Sequence, residues 1–447
     1  MPKVKYSVIS RKKISKFNKT ISVDSDKSIS IRAFLIGSIS QGISKINNVL
    51  ESEDVFSTIN CLKKLGVKIK RIGKGSYIIF GKGLGSLAAK KNITLDCGNS
   101  GTLARLLIGI LSTTPNINLN ITGDESLKKR NMSKLINLMN KFGAYFKNNK
   151  PFLPTKIISS SLPLGIIYKS SISAQLKSAV ILAGLNSYGL TTIEEKEGNE
   201  SRNHTENFLL KSPSSIKIKK KKIKIVGKSV LNPLRFPVPG DPSSAAFFCA
   251  ITILTKNSKL KIKNVCLNPR RLGFYKLLKK HGAKIKFKNK RKNNNEVVGD
   301  IYVMGGNLRP IKANAKYYPS TTDEYVILSV CAAMTNGVSI FKGITDLANK
   351  ESSRAIEMKK IFSQMGIKCN VTKNEMRIRG SNKIKNFNKK VVKIGRLNDH
   401  RICMAAVCLS LVSGAKCIIK NFETVGTSSP SFLKTIKSIG GKYEIEK

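Results

Sequence analysis

The chain is 447 residues long, carries a formal net charge of +55 at pH 7 and is 41% hydrophobic. This hydrophobic content supports a packed core and excludes disorder over the whole chain. No apolar run approaches the roughly 18 residues of a membrane helix, and the basic N-terminus lacks the apolar stretch of a secretory signal. We therefore expect a cytoplasmic protein of two domains, each with about 200 residues.

A net charge of this size ordinarily indicates binding to nucleic acid or to another anionic surface. However, only sixteen of the 81 basic residues are arginines, and the chain is also rich in isoleucine and asparagine. Lysine, isoleucine and asparagine share AT-rich codons, so nucleotide bias explains the charge without a polyanionic partner. The 6% aromatic content and the absence of tryptophan also weaken a base-stacking surface. We expect neither a nucleic-acid nor a membrane partner.

The nine cysteines are scattered singly, and none forms a CxxC pair. Several fall in apolar helical stretches, which is typical of reduced core residues. The sequence therefore gives little support to a metal site, and we expect none.

One pattern recurs along the chain: an amphipathic helix, a glycine that stops it, and a short alternating strand. Glycine after the last helical turn favours the left-handed conformation that ends a helix, and the alternation that follows is typical of a strand. The copies lie about 70 to 85 residues apart, and one degenerate copy breaks at Pro213. In chain order the stop glycines are Gly66, Gly143, Gly282, Gly366 and Gly440.

A second pattern keeps the same interval: six helices that are apolar around most of their circumference and must therefore be buried. Such repetition predicts six copies of one α/β unit, three in each domain. The VPGD segment at Val238–Asp241 is the expected crossover between the domains. In chain order the helices begin near Ser28, Gly101, Ser173, Ser243, Asp323 and Asp399.

Polar and basic residues gather at the N-terminal ends of these helices. The first N–H groups of a helix are unpaired and its dipole is positive there, so such an end binds anions. The alternative is that the polar residues are ordinary caps. Six basic residues, taken to lack nearby acids, weaken that alternative and predict an anion site: Lys27, Arg32, Arg105, Arg130, Arg354 and Arg401.

Nine phrases in chain order carry a resemblance to a known family: DKSISIRA, LDCGNSGTLARLL, GDESLKKR, SAQLKSA, SRNHTE, VPGDPSSAAFF, DEYVILS, KESSRA and NDHRICMA. Together they resemble the 3-phosphoshikimate 1-carboxyvinyltransferase (EPSP synthase) family, and SAQLK and RNHTE look more like its second, glyphosate-tolerant class. The resemblance implies an α/β fold of two domains, each of three pseudo-symmetric α/β units (an inside-out α/β barrel, the enolpyruvyl transferase fold). One domain would comprise residues 24–237 and the other residues 1–23 plus 238–447, with the substrate cleft between them.

The resemblance also implies a reaction, the transfer of the enolpyruvyl group of phosphoenolpyruvate to the 5-hydroxyl of shikimate 3-phosphate with release of phosphate. This step belongs to the shikimate pathway, which leads to chorismate and the aromatic amino acids. The family requires no metal ion or organic cofactor, so positioning and charge stabilisation must do most of the work. We expect a monomer whose partners are these two small molecules.

Site residues are implied by their match to the family's motifs. Lys27 would bind phosphoenolpyruvate and assist proton transfer, Asp323 would accept the proton of the 5-hydroxyl, and Glu351 would exchange a proton with C3. The other phosphoenolpyruvate contacts would be Asn99, Gly101, Arg130, Arg354 and Arg401. The shikimate 3-phosphate contacts would be Ser28, Arg32, Ser173, Gln175, Ser201, Asp323 and Lys350.

Plainer readings of these residues stay open. Lys27 could be a solvated lysine at a helix start, Asp323 a plain helix cap and Glu351 a surface charge. Arg105 lies inside a helix and is either structural or part of the site. Two rival classes are the sister enzyme that acts on a UDP-amino sugar and a basic nucleic-acid-binding protein.

Two departures from the family's pattern stand out. Asp24-Ser25 replaces the Pro-Gly that usually precedes the DKS phrase, and Glu423 stands near the place where some members carry a lysine. We therefore expect phosphoenolpyruvate affinity to depend more on Arg401 and Arg354.

Overall fold

The structure is a computed structural model that describes residues 5–89, 92–147, 151–198, 200–381 and 391–446. Its contacts divide the chain into two compact units. Unit I comprises Ser25–Val238 and Lys292–Glu296, and unit II comprises the described residues of Met1–Asp24, Pro239–Arg291 and Val297–Lys447. The domain boundaries inferred from the family resemblance stay a prediction, and each unit is described on its own.

The strands of the described residues are short and recur along the whole chain. From the N-terminus through the last strand of unit I they are β1 (Ser7–Ser10), β2 (Asn18–Ile21), β3 (Gln41–Asn47), β4 (Ile69–Gly73), β5 (Ser76–Lys82), β6 (Thr94–Asp96), β7 (Asn118–Thr122), β8 (Tyr145–Lys147), β9 (Thr155–Ile158), β10 (Ile167–Ser170), β11 (Leu190–Glu195), β12 (Ile216–Lys219), β13 (Lys222–Val226) and β14 (Arg235–Pro237). They continue as β15 (Lys259–Cys266), β16 (Lys284–Asn293), β17 (Glu296–Met304), β18 (Lys312–Ala313), β19 (Gly337–Lys342), β20 (Lys368–Val371), β21 (Glu375–Gly380), β22 (Val391–Ile394), β23 (Lys416–Ile419) and β24 (Glu444–Glu446).

The α-helices of the described residues alternate with these strands. In unit I they are α1 (Lys27–Ile39), α2 (Glu53–Lys64), α3 (Gly101–Thr113), α4 (Glu125–Lys128), α5 (Ser133–Asn140), α6 (Ala174–Leu185) and α7 (His204–Leu209). In unit II they are α8 (Pro242–Leu254), α9 (Gly273–Lys280), α10 (Tyr318–Thr321), α11 (Tyr325–Ala333), α12 (Arg354–Gln364), α13 (His400–Ser413) and α14 (Phe432–Ser438). None of the described helices is long and apolar enough to cross a membrane.

The strands form six four-stranded sheets that share one topology. In unit I the strand orders are β14-β3-β5-β4, β6-β7-β9-β8 and β10-β11-β13-β12, and in unit II they are β2-β15-β17-β16, β18-β19-β21-β20 and β22-β23-β1-β24. In every sheet the first two strands are parallel. The second and third strands are antiparallel in all six. The predicted fold class, six copies of one α/β unit grouped in threes, is confirmed.

Each copy contains one of the six buried helices predicted from their apolar circumference. These helices are α1, α3, α6, α8, α11 and α13, and most of their residues are buried. Five of them begin after an aspartate or serine whose side chain accepts a backbone N–H of the first turn, as in a standard N-cap. The exception is α11, which follows Glu324 without a side-chain cap bond. Asp323 lies one residue further upstream, so its interpretation as a plain helix cap is wrong.

The predicted glycine stops are also confirmed. All five stop glycines have positive φ, between 71° and 103°. The backbone can turn there into the next strand because glycine has no Cβ to clash in the left-handed region. In the degenerate copy, α7 ends at Leu209 and β12 begins at Ile216.

Close packing of α3 against α6 aligns two of the candidate site segments in unit I. A Cβ on Gly109 of α3 would lie 2.6 Å from the carbonyl oxygen of Ala179 in α6, so the two backbones approach as closely as glycine permits. Any larger residue would force the helices apart and cost packing energy of about 1–3 kcal/mol. The first turns of α3 and α6 also lie side by side, since Gln175 of α6 bonds to Thr102 of α3.

All nine cysteines are free, and eight of them are buried, with Cys369 partly exposed. The prediction that they are reduced core residues therefore holds for eight of the nine. Burial raises the pKa of several of these thiols, for example that of Cys331 to about 12, which makes them poor nucleophiles.

Candidate active site

Lys27 is the first residue of α1, and its ammonium is paired. Nζ lies 2.9 Å from Oδ2 of Asp54, and the two side chains are 16% and 5% exposed. Lys27 is therefore not a freely solvated lysine. Its charge is held at the start of a buried helix by a carboxylate on α2.

Two guanidinium groups flank the start of α3. A Cβ on Gly101 would lie 2.7 Å from Nη1 of Arg105 and 2.7 Å from Nη1 of Arg130, so glycine is the residue that leaves room for both. Arg130 Nη2 donates to Oδ1 of Asn99 at 3.1 Å, and Asn99 Nδ2 donates to Oδ2 of Asp124 at 2.7 Å. Two cations held against a helix N-terminus form an arrangement suited to a carboxylate or phosphate.

Arg105 also ties α3 to α6. Its Nη1 donates to the carbonyl oxygen of Gly101 at 3.1 Å and to Oε1 of Gln175 at 2.9 Å. Gln175 Nε2 in turn donates to Oγ1 of Thr102 at 3.0 Å. Arg105 therefore has a structural role, since it fixes the carboxamide of Gln175 beside the first turn of α3.

Arg32 is only 4% exposed and uses all three guanidinium nitrogens within unit I. Nε donates to Oγ1 of Thr205 at 2.9 Å, Nη2 to Oγ of Ser178 at 3.0 Å, and Nη1 to the carbonyl oxygen of Ser28 at 3.1 Å. The guanidinium thus joins α1, α6 and α7. Ser28, which is half-buried, is held through its backbone.

Two serines predicted to bind the second substrate occupy different environments in unit I. Ser173 is the N-cap of α6, and its Oγ accepts the N–H of Leu176 at 3.4 Å. Ser201 is 1% exposed, and its N–H donates to Oε1 of Glu195 at 3.3 Å. The cap role of Ser173 is compatible with ligand binding, because a hydroxyl has both a donor and acceptor positions.

In unit II, Arg354 organises three carboxylates. Nε donates to Oδ2 of Asp399 at 3.0 Å, Nη2 donates to Oε2 of Glu351, and Nη1 lies 3.6 Å from Oδ1 of Asp323. The arginine side chain is 1% exposed. Burial by itself would lower the pKa of Arg354, but the three carboxylates outweigh it and raise that pKa above its ordinary value.

Arg401 approaches the same cluster from the first turn of α13. Its Nε lies 3.9 Å from Oδ1 of Asp323, and its backbone N–H donates to Oδ1 of Asp399 at 3.0 Å. Asp323 therefore has two guanidinium groups nearby.

Lys350 and Glu351 precede α12. Nζ of Lys350 lies 2.6 Å from Oδ2 of Asp346, and the lysine side chain is 22% exposed. The side chain of Glu351 is 15% exposed and bonded to Arg354. The alternative interpretation of Glu351 as a simple surface charge is therefore wrong.

One premise of the sequence analysis needs correction. The prediction that the basic residues at the helix starts lack nearby acids is wrong, because Lys27 pairs with Asp54, and Arg354 pairs with Asp399 and Glu351. Most of these partners come from other elements, and no local sequence pattern indicates that they lie close to the basic residues. Charge balance therefore does not require a bound anion at Lys27, Arg354 or Arg401, since Arg401 also lies beside Asp323.

Other buried charged residues, which the motifs do not single out, hold the candidate site together. In unit II, Asp241 caps α8 and accepts from Nη2 of Arg271 at 3.1 Å, and Arg271 is 2% exposed. Burial alone would raise the pKa of Asp241, but Arg271 and Arg401 lower it overall. Asp241 and Asp399 were recognisable as polar residues before apolar helices. Arg271 had no such signal.

The six-copy topology and the charged helix starts define the enolpyruvyl transferase fold. A solved structure of the enolpyruvyl transferase NikO from Streptomyces tendae matches 99% of this chain and 99% of its own, with a TM-score of 0.74 and 11% identity. That level of identity supports the fold alone. A solved EPSP synthase from Acinetobacter baumannii matches 99% of this chain and all of its own, with a TM-score of 0.84 and 31% identity.

The family model described as EPSP synthase (3-phosphoshikimate 1-carboxyvinyltransferase) matches residues 11–436. A curated 3-phosphoshikimate 1-carboxyvinyltransferase from Sulfurihydrogenibium sp. is 36% identical over 434 residues, which cover 96% of this chain and 98% of that protein. One from Thermoanaerobacter sp. is 39% identical over 418 residues, covering 93% and 96%. The chain belongs to the EPSP synthase family, and it is an enzyme of this type.

Proposed function

We propose that this enzyme transfers the enolpyruvyl group of phosphoenolpyruvate to the 5-hydroxyl of shikimate 3-phosphate and releases phosphate. Family membership over nearly the whole chain is the main support. The observation within the structure that carries the proposal is the start of α3, where Gly101 leaves room for the guanidinium groups of Arg105 and Arg130. A small anion with a carboxylate and a phosphate suits such a position.

The proposed reaction is an addition followed by an elimination. The 5-hydroxyl oxygen bonds to C2 of phosphoenolpyruvate and loses its proton to Asp323, while C3 gains a proton. The tetrahedral intermediate then loses phosphate from C2 and one proton from C3, which restores the double bond between C2 and C3. We assign the proton exchange at C3 to Glu351. Lys27 binds phosphoenolpyruvate in this scheme and assists proton transfer.

The different surroundings of Asp323 and Glu351 support a division of roles. Asp323 has Nη1 of Arg354 at 3.6 Å and Nε of Arg401 at 3.9 Å, so it is surrounded by cations at moderate distance. Glu351 makes a direct bond to Nη2 of Arg354. Two carboxyl groups whose environments differ can act separately as acid and base.

The remaining contacts are proposed from their match to the family's motifs. For phosphoenolpyruvate they are Lys27, Asn99, Gly101, Arg130, Arg354 and Arg401. For shikimate 3-phosphate they are Ser28, Arg32, Ser173, Gln175, Ser201, Asp323 and Lys350. We further propose two domains, residues 24–237 and residues 1–23 plus 238–447, in a cytoplasmic monomer that does not act on nucleic acid.

The test is phosphate release from purified protein with both substrates, with each substrate alone, and with a UDP-amino sugar in place of shikimate 3-phosphate. We expect release only when phosphoenolpyruvate and shikimate 3-phosphate are both present. Folded protein that releases no phosphate under these conditions would overturn the proposal. Release with the UDP-amino sugar instead would assign the chain to the sister reaction.

A further inference from the structure

Lys177 of α6 is fully buried, and its ammonium has three oxygen partners. Nζ lies 2.6 Å from Oε1 of Glu195 and 2.7 Å from Oε1 of Glu206, and it donates to the carbonyl oxygen of Ser201 at 3.3 Å. Both glutamate side chains are also almost fully buried, at 4% and 1% exposed. A lysine in such a place is stable only because it is paired, since an isolated buried charge is very unfavourable.

The backbone N–H and the backbone carbonyl of Ser201 are both bonded to this cluster. Its N–H donates to Oε1 of Glu195 at 3.3 Å, and its carbonyl oxygen accepts from Nζ of Lys177 at 3.3 Å. Glu195 ends β11 and Lys177 lies in the first turns of α6, so two regular elements position one serine. Glu206 shares the same ammonium, and no bond from Glu206 to Ser201 is among those that the structure describes.

A second set of bonds runs beside the first through neighbouring residues of the chain. Ser178 follows Lys177, and Thr205 precedes Glu206. The hydroxyl of Thr205 donates to Oγ of Ser178 at 2.8 Å, and Arg32 donates to both hydroxyls. The two residues that we assign to shikimate 3-phosphate on α1 and before α7, Arg32 and Ser201, are thus anchored to consecutive residues of α6.

We infer that Lys177 is a positioning residue for shikimate 3-phosphate, acting through Glu195 to fix Ser201 for the phosphate of that substrate. The side chains of Lys177 and Glu195 need not contact shikimate 3-phosphate themselves. The inference rests on the proposed function, because it takes Ser201 as a contact of the second substrate. It predicts an effect on one substrate only, since none of these residues is assigned to phosphoenolpyruvate.

Two matched substitutions separate positioning from general stability. Glu195→Met and Glu206→Met each remove one buried carboxylate from the same ammonium, but Glu195→Met also removes the acceptor of the Ser201 N–H. We expect both variants to melt at lower temperature than the wild type. Only Glu195→Met is expected to raise the KM for shikimate 3-phosphate, by tenfold or more, with the KM for phosphoenolpyruvate changed less than twofold.

The conservative substitution Glu195→Gln distinguishes positioning from a purely structural role through the KM for shikimate 3-phosphate. Glu195→Gln keeps an oxygen acceptor, so we expect its KM for shikimate 3-phosphate to fall back to within about threefold of the wild type. If Glu195→Met does not fold, Glu195→Ala and Glu206→Ala are compared instead, because alanine also removes the acceptor, and a rise in this KM confined to Glu195→Ala supports the inference. Equal changes in the two variants would overturn it.

Calorimetric titration with shikimate 3-phosphate alone separates failure of this inference from failure of the proposed function. Wild-type protein that binds shikimate 3-phosphate but releases no phosphate would overturn the proposed reaction and leave the comparison of binding intact. Affinity reduced in Glu195→Met and preserved in Glu206→Met would support the role of Lys177. Wild-type protein that does not bind this compound would overturn both.

Discussion

Nε of Arg354 donates to Oδ2 of Asp399 at 3.0 Å, although 45 residues separate them and both side chains are at most 1% exposed. The pair joins the start of α12 to the N-cap of α13 and holds Glu351 and Asp323 beside the same guanidinium. Four of the residues that we assign to chemistry or donor binding, Asp323, Glu351, Arg354 and Arg401, therefore depend on one buried pairing.

Removal of Arg354 should be costly for the fold as well as for activity. Arg354→Ala leaves buried Asp399 without its cation, and breaking a buried pair from one side costs about 3–5 kcal/mol of unfolding free energy. Urea denaturation measures this change. Arg377→Ala is the control, because Arg377 is 54% exposed and pairs with Glu375, so its loss should cost less than about 1 kcal/mol. Equal losses in the two variants would contradict the buried pairing.

Arg354→Lys should separate charge from geometry. Lysine keeps the positive charge but loses the planar fork that binds several carboxylate oxygens at once. We expect most of the stability to be retained, while kcat/KM for phosphoenolpyruvate falls by about 100-fold, equivalent to about 2.7 kcal/mol. Steady-state phosphate release measures the ratio. A variant with wild-type kcat/KM would show that charge alone suffices at this position.

Lys27→Met should abolish turnover and also lower stability, because Asp54 is 5% exposed and would lose the cation 2.9 Å away. The double variant Lys27→Met/Asp54→Asn removes that unpaired charge. We expect it to regain most of the melting temperature without regaining activity. Thermal melts and phosphate release on the three proteins provide the test, and an active double variant would rule out a catalytic role for Lys27.

Gly101→Ala should weaken phosphoenolpyruvate binding with little loss of stability. The new Cβ would lie 2.7 Å from a nitrogen of both Arg105 and Arg130, so the guanidinium groups must move. We expect the KM for phosphoenolpyruvate to rise about tenfold or more, while the helix gains slightly from alanine's higher propensity. Gly306→Ala is the control, because no atom lies within 4 Å of its added Cβ. An unchanged KM in Gly101→Ala would count against the proposed anion position.

We expect Glu51 to stabilise unit I at neutral pH and to lose this contribution in acid. The bond from Arg71, aided by the N–H of Gly75 and the hydroxyl of Tyr77, lowers the pKa of Glu51 from 4.5 to about 2. A carboxyl whose pKa is lowered by folding stabilises the native state above its unfolded pKa. That stabilisation is lost as pH falls from about 4.5 to about 2.

The corresponding experiment compares the melting temperatures of wild type and Glu51→Gln across this pH range. We expect the wild type to be the more stable near pH 6, with the difference shrinking steadily toward pH 2. A difference that stays constant through this range would show that the carboxylate charge of Glu51 contributes nothing. Glu197→Gln is the exposed control: Lys221 also lowers the pKa of Glu197, but this side chain is 89% exposed, so we expect a smaller difference over the same pH range.

The repeat architecture could be predicted from the sequence because its signals are local. The stop at Gly282, for example, needs only the helix before it and the strand after it, and its φ of 103° agrees with that prediction. The apolar circumference of α8 likewise requires burial wherever the helix packs. The buried helix occurs six times in the chain and the glycine stop five times, which reinforces a pattern that would be weak in one copy.

The charge pairings could not be predicted because they join distant parts of the chain. Lys177 is the one basic residue of the apolar helix α6, and only the fold brings Glu195 and Glu206 to it. Asp323 failed as a cap for a different reason: α11 starts two residues later than its apolar pattern suggested. Helix ends are the least certain part of a sequence-based assignment, and a shift of two residues changes a side chain's role.

The position of β1 has a consequence for synthesis on the ribosome. β1 pairs with β23 and β24, so Val8 lies opposite Ile419 and Ile445. At about 5–20 residues per second, β1 must wait roughly 20–80 s for these two neighbours to be translated. Unit I, by contrast, is complete apart from Lys292–Glu296 once Val238 has left the exit tunnel. Unit I can therefore fold during synthesis, well before β1 pairs with β23 and β24.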